Sequence, residues 1–225
     1  HGDVAVLGGA PGMVGAALLA ASAALHAGAG RVFVALLDGG SMAVDTQQPE
    51  LMFRRPEDLD FAALHLACGC GGGQAVRAVL PRALSTARSL VLDADALNAV
   101  AADPSLQALL RARSGRGRPT VLTPHPLEAA RLLGATAADV QADRLDAARR
   151  LALATGAAVV LKGSGTVVAA PGHAPRINPT GNARLATGGT GDVLAGWIAA
   201  LIAQGLDALD AASEAVYLHG AVADA

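Results

Sequence analysis

Aromatic side chains are scarce in this sequence, with one Trp, one Tyr and three Phe in 225 residues. A core without large rings must fill its volume with small residues in close contact, and 54 Ala and 27 Gly supply them. Only two cysteines occur, Cys68 and Cys70. They are too close along the chain for a normal disulfide framework and too few for a structural zinc set, which fits a reducing, cytoplasmic compartment. They read as small apolar fillers. Lysine is rarer still, since the basic set is sixteen Arg and the single Lys162. With 17 basic against 19 acidic residues the net charge is −2. Such a balance offers no field for a polyanion, so nucleic acid is not an expected partner.

Long apolar runs are also missing. Val4 to Leu25 carries no charge, but Gly8, Gly9, Pro11, Gly12 and Gly15 break it into a strand, a turn and a helix start, which argues against a membrane span. No basic segment or cleavage signature precedes it, so neither a signal peptide nor an anchor is expected. The chain starts at His1 instead of Met, which reads as an excised or processed piece.

What is present is alternation. Val4–Leu7, Arg31–Leu36, Leu64–Ala67, Ser89–Leu92 and Thr120–Leu122 read as strands. Between them Gly15–Ala27, Ala75–Ala87 and Ala94–Ala102 read as helices. The pattern predicts one α/β domain over 1–225, a mostly parallel sheet with helices on both faces. Arg111–Arg118 reads as an exposed, mobile loop without chemistry. Leu127–Leu133 is a short helix ended by Gly134, and Thr136 with Asp139 caps the next, which Gly156 ends. Ala157–Leu161 and Thr166–Ala170 read as strands joined by the tight turn Gly163–Gly165, so the sheet turns antiparallel late. Two helices follow, Asp192–Gln204 and Asp207 onward, split by Gly205.

The residues that carry chemistry lie at element ends. Gly188-Gly189-Thr190-Gly191-Asp192 runs into an apolar helix, so unpaired N–H groups face out at its N-terminus and form an anion site. A carboxylate beside a bound anion repels it unless that carboxylate takes a proton from a hydroxyl or reaches a metal, which makes Asp192 a candidate base; the plain alternative is a helix N-cap. Lys162-Gly163-Ser164-Gly165-Thr166 is not a P-loop, because its Lys precedes the glycines and a strand, not a helix, follows. It reads as a hairpin whose backbone lines phosphates, or as a plain surface turn. Asn178-Pro179-Thr180-Gly181-Asn182 reads as a loop over a site. Thr123-Pro124-His125-Pro126-Leu127-Glu128 and Asp93-Ala94-Asp95-Ala96-Leu97-Asn98 sit at the carboxyl ends of neighbouring strands, where open α/β sheets bind ligands. His125 and Asp93 are therefore site candidates, and His26, His65, His173 and His219 receive no role. Gly8-Gly9-Ala10-Pro11-Gly12 lacks the dinucleotide spacing.

Together the stretches GGAPGMVGAALLA, HAGAGRVFVA, LDADALN, LTPHPLEAARLLG, VVLKGSGTVV, NPTGNARLATGGTGDVLAGWIAALIAQG and YLHGA resemble the NAD(P)H-hydrate dehydratases, the carbohydrate-kinase-like domain of the YjeF type, over nearly the whole chain. The resemblance implies a ribokinase-like three-layer α/β/α fold and a carbon–oxygen lyase. It would return the hydrated cofactors NADHX and NADPHX to NADH and NADPH at the expense of ADP, or ATP, with Mg²⁺ held by phosphates and water. No metal ligand is assigned. Asp192 would activate the substrate hydroxyl, with the amides of Gly189 to Gly191 stabilising the developing charge. Lys162, Gly163, Ser164, Gly165, Thr166 and Gly191 would contact the nucleotide, Asn178 and Asn182 flanking its phosphates. Ala16, His125, Asp192 and one of Gly71 to Gly73 would contact the hydrated cofactor. Which glycine does so stays open, because the family usually shows a Gly-Pro-Gly-Leu-Gly-like turn where this chain has Cys68-Gly69-Cys70-Gly71-Gly72-Gly73. The resemblance also implies assembly from identical subunits, a tetramer being one such form, and fusion in a longer protein to an N-terminal NAD(P)HX epimerase domain. Two other readings remain at this point: a vitamin or sugar kinase of the same fold, and a nucleotide-binding module without catalysis.

Overall fold

The computed structural model describes residues 2–225; His1, on which the expectation of an excised piece rested, lies outside them. Nine strands among the described residues form one sheet: β1 (Val4–Gly8), β2 (Val32–Leu36), β3 (Met52–Phe53), β4 (His65–Cys68), β5 (Ser89–Leu92), β6 (Thr120–Leu122), β7 (Ala158–Leu161), β8 (Val167–Ala169) and β9 (Arg176–Ile177). Their order is β3-β2-β1-β4-β5-β6-β7-β8-β9. The first seven in that order run parallel, β8 runs antiparallel to β7, and β9 antiparallel to β8. The central strands are Val- and Leu-rich and buried along their length, as a sheet covered on both faces requires.

The helices are α1 (Val14–His26), α2 (Val76–Thr86), α3 (Ala94–Ala102), α4 (Pro104–Ser114), α5 (Pro126–Leu133), α6 (Ala137–Ala142), α7 (Arg144–Thr155), α8 (Thr190–Ala203) and α9 (Ala208–Asp224). Residues of α1, α8 and α9 form the core on one face of the sheet, and those of α2 to α7 the core on the other. The small-residue composition has a specific use in the first layer. A Cβ at Gly196 of α8 would lie 1.9 Å from the carbonyl oxygen of Ala20 in α1, so only glycine lets these helices touch backbone to backbone. That contact fixes where α8 begins.

Two expectations are corrected. Arg111–Arg118 is not an open loop: its first half completes α4, which Asp103 caps by accepting from the Ser105 amide. Arg113 is buried, and its guanidinium bonds the carbonyls of Ala83, Leu84 and Ala87 at the end of α2, and Thr120 of β6. Burial lowers its pKa to about 10, still charged at neutrality. Helix α8 starts at Thr190, with Gly189 at φ 93° as its N-cap, so Asp192 stands in the first turn and is not the cap. The short β3 and β9 and the helix α4 are absent from the sequence reading, and the one helix read between the Thr136 cap and Gly156 is two, α6 and α7, parted at Asp143, whose side chain accepts from the Asp146 amide and caps the second.

The chain winds outward from β1 to β2 and β3, then returns to place β4 on the other side of β1. The loops after β1 and β4 therefore meet at the point where strand order reverses, the place where open α/β sheets form a ligand crevice. They are bonded there, Gly9 N to Cys70 O at 3.0 Å and Ala10 N to Gly71 O at 2.7 Å.

Candidate active site

Register alone brings three polar residues together. Leu92 of β5 pairs with Leu122 of β6, which pairs with Val159 of β7, so Asp93, Thr123 and Lys162 leave the sheet at one edge. Lys162 Nζ donates to Asp93 Oδ1 at 2.8 Å, and Thr123 Oγ1 donates to the same oxygen at 2.6 Å. Asp93 is 2% exposed. Burial works against the Lys162 ammonium, but the carboxylates of Asp93 and Glu128 outweigh it and raise its pKa. Ala94, which follows Asp93 into α3, takes φ 44°, a strained value for a residue with a Cβ and a mark of a site held in place by its surroundings.

Across from this group stands the start of α8. A Cβ at Gly191 would lie 3.3 Å from Lys162 Nζ and 3.7 Å from Asp93 Oδ2, so glycine lets the ammonium approach the helix N-terminus. Asp192 is half-buried beside it. Burial, and then the charge of Asp93, push its pKa up from 3.8 to about 6. A carboxyl group near pH 6 is mostly ionised at neutrality yet basic enough to accept a proton, as a general base must be.

The thiol of Cys70 completes the cluster: a ligand atom from each of Cys70, Asp93 and Asp192 lies within 4.8 Å of the other two. Cys70 is fully buried, and desolvation holds its thiol well above the ordinary range, so it remains S–H. A protonated thiol and a carboxylate already bonded to Lys162 and Thr123 do not suit Mg²⁺, which asks for oxygen ligands. Magnesium at this site would be held by the phosphates it accompanies.

A cavity of about 440 Å³ opens beside this cluster, lined by Lys162 to Thr166, Asn178, Thr180 to Ala183, Thr190, Gly191, Val216 and His219 among others. Every residue expected to meet the nucleotide lies on its wall. The amides of Asn178 and Asn182 are spent, however, on Thr180 O and Val216 O and on Ala223 O and Asp224, so they hold this loop against α9. Groups on the phosphates would come from the loop's backbone.

The residues expected to meet the hydrated cofactor lie in the first turn of α1, in the turn after β4 and at the start of α5. A Cβ on Gly71 would lie 2.9 Å from Ala16 Cβ, and one on Gly73 3.2 Å from Ala10 Cβ, which places both glycines against the loop after β1. After β6, His125 caps α5: its Nδ1 accepts from the Leu127 and Glu128 amides, and Glu128 accepts from the His125 amide at 2.8 Å. Glu128 is 4% exposed, and burial raises its pKa against the pull of Lys162.

Several members of the site were not legible as such. Cys70 was readable only as a filler, although its thiol faces Asp192. Asp95 accepts from the Gly73 amide at 2.8 Å and so fixes the glycine turn. His219 lines the cavity, with burial lowering its pKa. The spacing in LDADALN and YLHGA is the only sequence signal these two carry.

The sequence profile of the NAD(P)H-hydrate dehydratase family matches residues 4–225. The chain belongs to that family. The ADP-dependent (S)-NAD(P)H-hydrate dehydratase of Neisseria meningitidis is 45% identical over 230 residues, which cover 99% of this chain and 76% of that protein. The bifunctional NAD(P)H-hydrate repair enzyme of Moorella thermoacetica is 42% identical over 246 residues, covering 100% of this chain and 45% of that protein. The chain thus spans under half of the bifunctional relative. A crystal structure of the ADP/ATP-dependent dehydratase from Bacillus subtilis, co-crystallised with ATP/Mg²⁺ and soaked with CoA, superposes with a TM-score of 0.80 at 32% identity, covering 99% of this chain and 82% of that one. The dehydratase family and the ribokinase-like architecture expected from sequence are both borne out.

Proposed function

We propose that residues 1–225 form one dehydratase domain that repairs NADHX and NADPHX, using ADP or ATP with Mg²⁺, and that Asp192 is its base. The observation that carries this reading is the position of Asp192: a carboxyl with a pKa of about 6, one residue after Gly191 on the cavity wall and within 4.8 Å of Cys70 in the turn after β4, where strand order reverses.

Hydroxide is a poor leaving group from the hydrated nicotinamide ring. Asp192 takes the proton of that hydroxyl as its oxygen attacks the terminal phosphoryl group; an O–P bond forms and the phosphoanhydride breaks. The amides of Gly189 to Gly191, at the positive end of α8, stabilise the charge gathering on the phosphoryl oxygens. Phosphate then departs with the C–O electron pair, pushed by the ring nitrogen, and loss of a proton from the neighbouring carbon restores the dihydropyridine. Mg²⁺, when bound with the nucleotide, neutralises phosphate charge. Lys162 pairs with Asp93 beside the base and offsets its negative charge.

The turn Gly71–Gly73, Ala16 and His125 shape the seat of the hydrated cofactor, and the Lys162–Thr166 turn with Gly191 that of the nucleotide. Assembly from identical subunits, with a tetramer as one form, a cytoplasmic location and fusion to an epimerase domain in a longer protein belong to the same reading. Among the described residues no helix is long and apolar enough to cross a membrane.

The test mixes the protein with NADHX and ADP or ATP and follows absorbance of the reduced nicotinamide. Nucleotide-dependent recovery with wild type and none with Asp192→Ala supports the reading. Phosphorylation of a vitamin precursor instead, or equal nucleotide binding by both proteins without turnover by either, overturns it.

A further inference from the structure

The turn after β7 has an unusual amount of support beneath it. Arg144, the first residue of α7, donates from Nη2 to Leu161 O at 3.0 Å and from Nη1 to Ser164 O. Thr166 Oγ1 donates to Gly163 O at 2.9 Å, and the Lys162 amide donates to Pro124 O at 2.9 Å. The carbonyls of Leu161, Gly163 and Ser164 are thus all engaged on the protein side. In a planar trans peptide the N–H of the next residue points opposite the carbonyl. Anchoring Ser164 C=O to Arg144 therefore turns the Gly165 N–H away from Arg144, while the Thr166 hydroxyl, holding Gly163 C=O, turns the Ser164 N–H away from itself. Among the described residues the amides of Gly163, Ser164 and Gly165 donate to no protein acceptor, and the same residues line the 440 Å³ cavity. Consecutive free amides of this kind make an anion-binding nest.

Gly163 is shaped to this arrangement. It holds φ 144°, which disfavours any side chain, and a Cβ there would lie 2.8 Å from Arg144 Nη2, so a side chain would have to displace the guanidinium from its place under the turn. Arg144 Nε is buried without a partner, a cost the protein bears at this position. Burial lowers the Arg144 pKa, but a guanidinium stays charged at neutral pH. Its charge also bears on the balance of the site, where Asp93, Asp192 and Glu128 face Lys162 before any phosphate arrives.

We propose that Arg144 is a positioning residue for the nucleotide: from behind the Lys162–Thr166 turn it holds the Leu161 and Ser164 carbonyls back, turns the Gly165 amide towards the phosphates and sets a positive charge beneath the turn. This inference rests on the nucleotide reading of the cavity. It concerns a residue that touches neither the nucleotide nor the reacting atoms.

The test compares wild type, Arg144→Ala, Arg144→Lys and the exposed control Arg149→Ala on the same helix. ADP and ATP binding is measured by calorimetry, and KM for each substrate and kcat by the absorbance assay. Arg144→Ala is expected to raise nucleotide Kd and KM by roughly tenfold to a hundredfold, the scale of a misplaced binding group. KM for NADHX stays within about twofold, as do all constants of Arg149→Ala. Arg144→Lys, able to reach one carbonyl, falls between, and methylguanidinium added to Arg144→Ala restores part of the nucleotide affinity. Unchanged nucleotide affinity in Arg144→Ala, or an equal rise in both KM values without rescue, overturns the assignment. If Arg144→Ala does not fold, wild-type nucleotide affinity in Arg144→Lys overturns it on its own. A wild-type protein that binds no adenine nucleotide overturns the nucleotide reading itself, a result distinct from any of these.

Discussion

Asp192 shows how a single carboxyl can be useful and costly together. Its pKa of about 6 arises first from burial and then from Asp93, so in the folded state its charge is disfavoured. A carboxyl whose folded pKa exceeds its unfolded value stabilises most below about pH 4, and that contribution is lost as pH rises through about 6. Asp192→Asn should therefore melt higher than wild type at pH 7.5, by about 1–2 kcal/mol after allowance for partial exposure, with the gap closing towards pH 4 in thermal melts at several pH values. The same variant should lose roughly a thousandfold or more in turnover while nucleotide affinity stays within about tenfold. In wild type, kcat/KM should rise with pH around a midpoint near 6. Lys162 lowers the Asp192 pKa, so Lys162→Met should move that midpoint upward in a rate–pH profile. A midpoint that stays fixed in the variant would detach Lys162 from the base.

Elements explain what the sequence disclosed and what it withheld. Strand runs such as Val4–Leu7 and Ser89–Leu92, and the Gly134 and Gly156 stops, were readable because apolar period and left-handed turns are local properties. The contact of α1 with α8 was half-legible: composition announced close packing, but not that Gly196 would sit on Ala20. Arg113 was hidden because its neighbours, Arg111, Gly115, Arg116, Gly117 and Arg118, carry the composition of a loop. Its partners lie 26 to 30 residues earlier in α2, beyond any local pattern. Arg113→Met should leave those carbonyls buried without donors and cost about 2–4 kcal/mol in urea unfolding, with catalytic constants of the folded fraction unchanged. A loss under about 0.5 kcal/mol would restore the surface-loop reading.

At the scale of the whole molecule, the site is a product of strand order. Motifs that are far apart in sequence, LDADALN, TPHPLE, LKGSGT and GGTGD, become neighbours only because β5, β6 and β7 are adjacent and in register. The resemblance could name them together; the residues alone could place each at a strand end but could not show that Lys162 reaches Asp93 across 69 positions. Nucleotide bound between the β7 turn, α8 and α9 should tie these parts together. Saturation at a hundredfold over Kd adds about 2.7 kcal/mol, and a chain of this size should then melt roughly 5–10 °C higher with ADP or ATP than without. Scanning calorimetry with and without nucleotide measures it, with Arg144→Ala expected to need more ligand for the same shift.

The scarcity of lysine gives the site a reporter of its own. Lys162 carries the one side-chain amine in the protein, and that amine is protonated while Asp93 holds it. Acylating reagents attack neutral amines, so while the pair with Asp93 is formed they should spare this position, and in any transient parting of the pair mark it. The slow growth of one mass increment on a peptide containing Lys162 would then clock how often that pair opens.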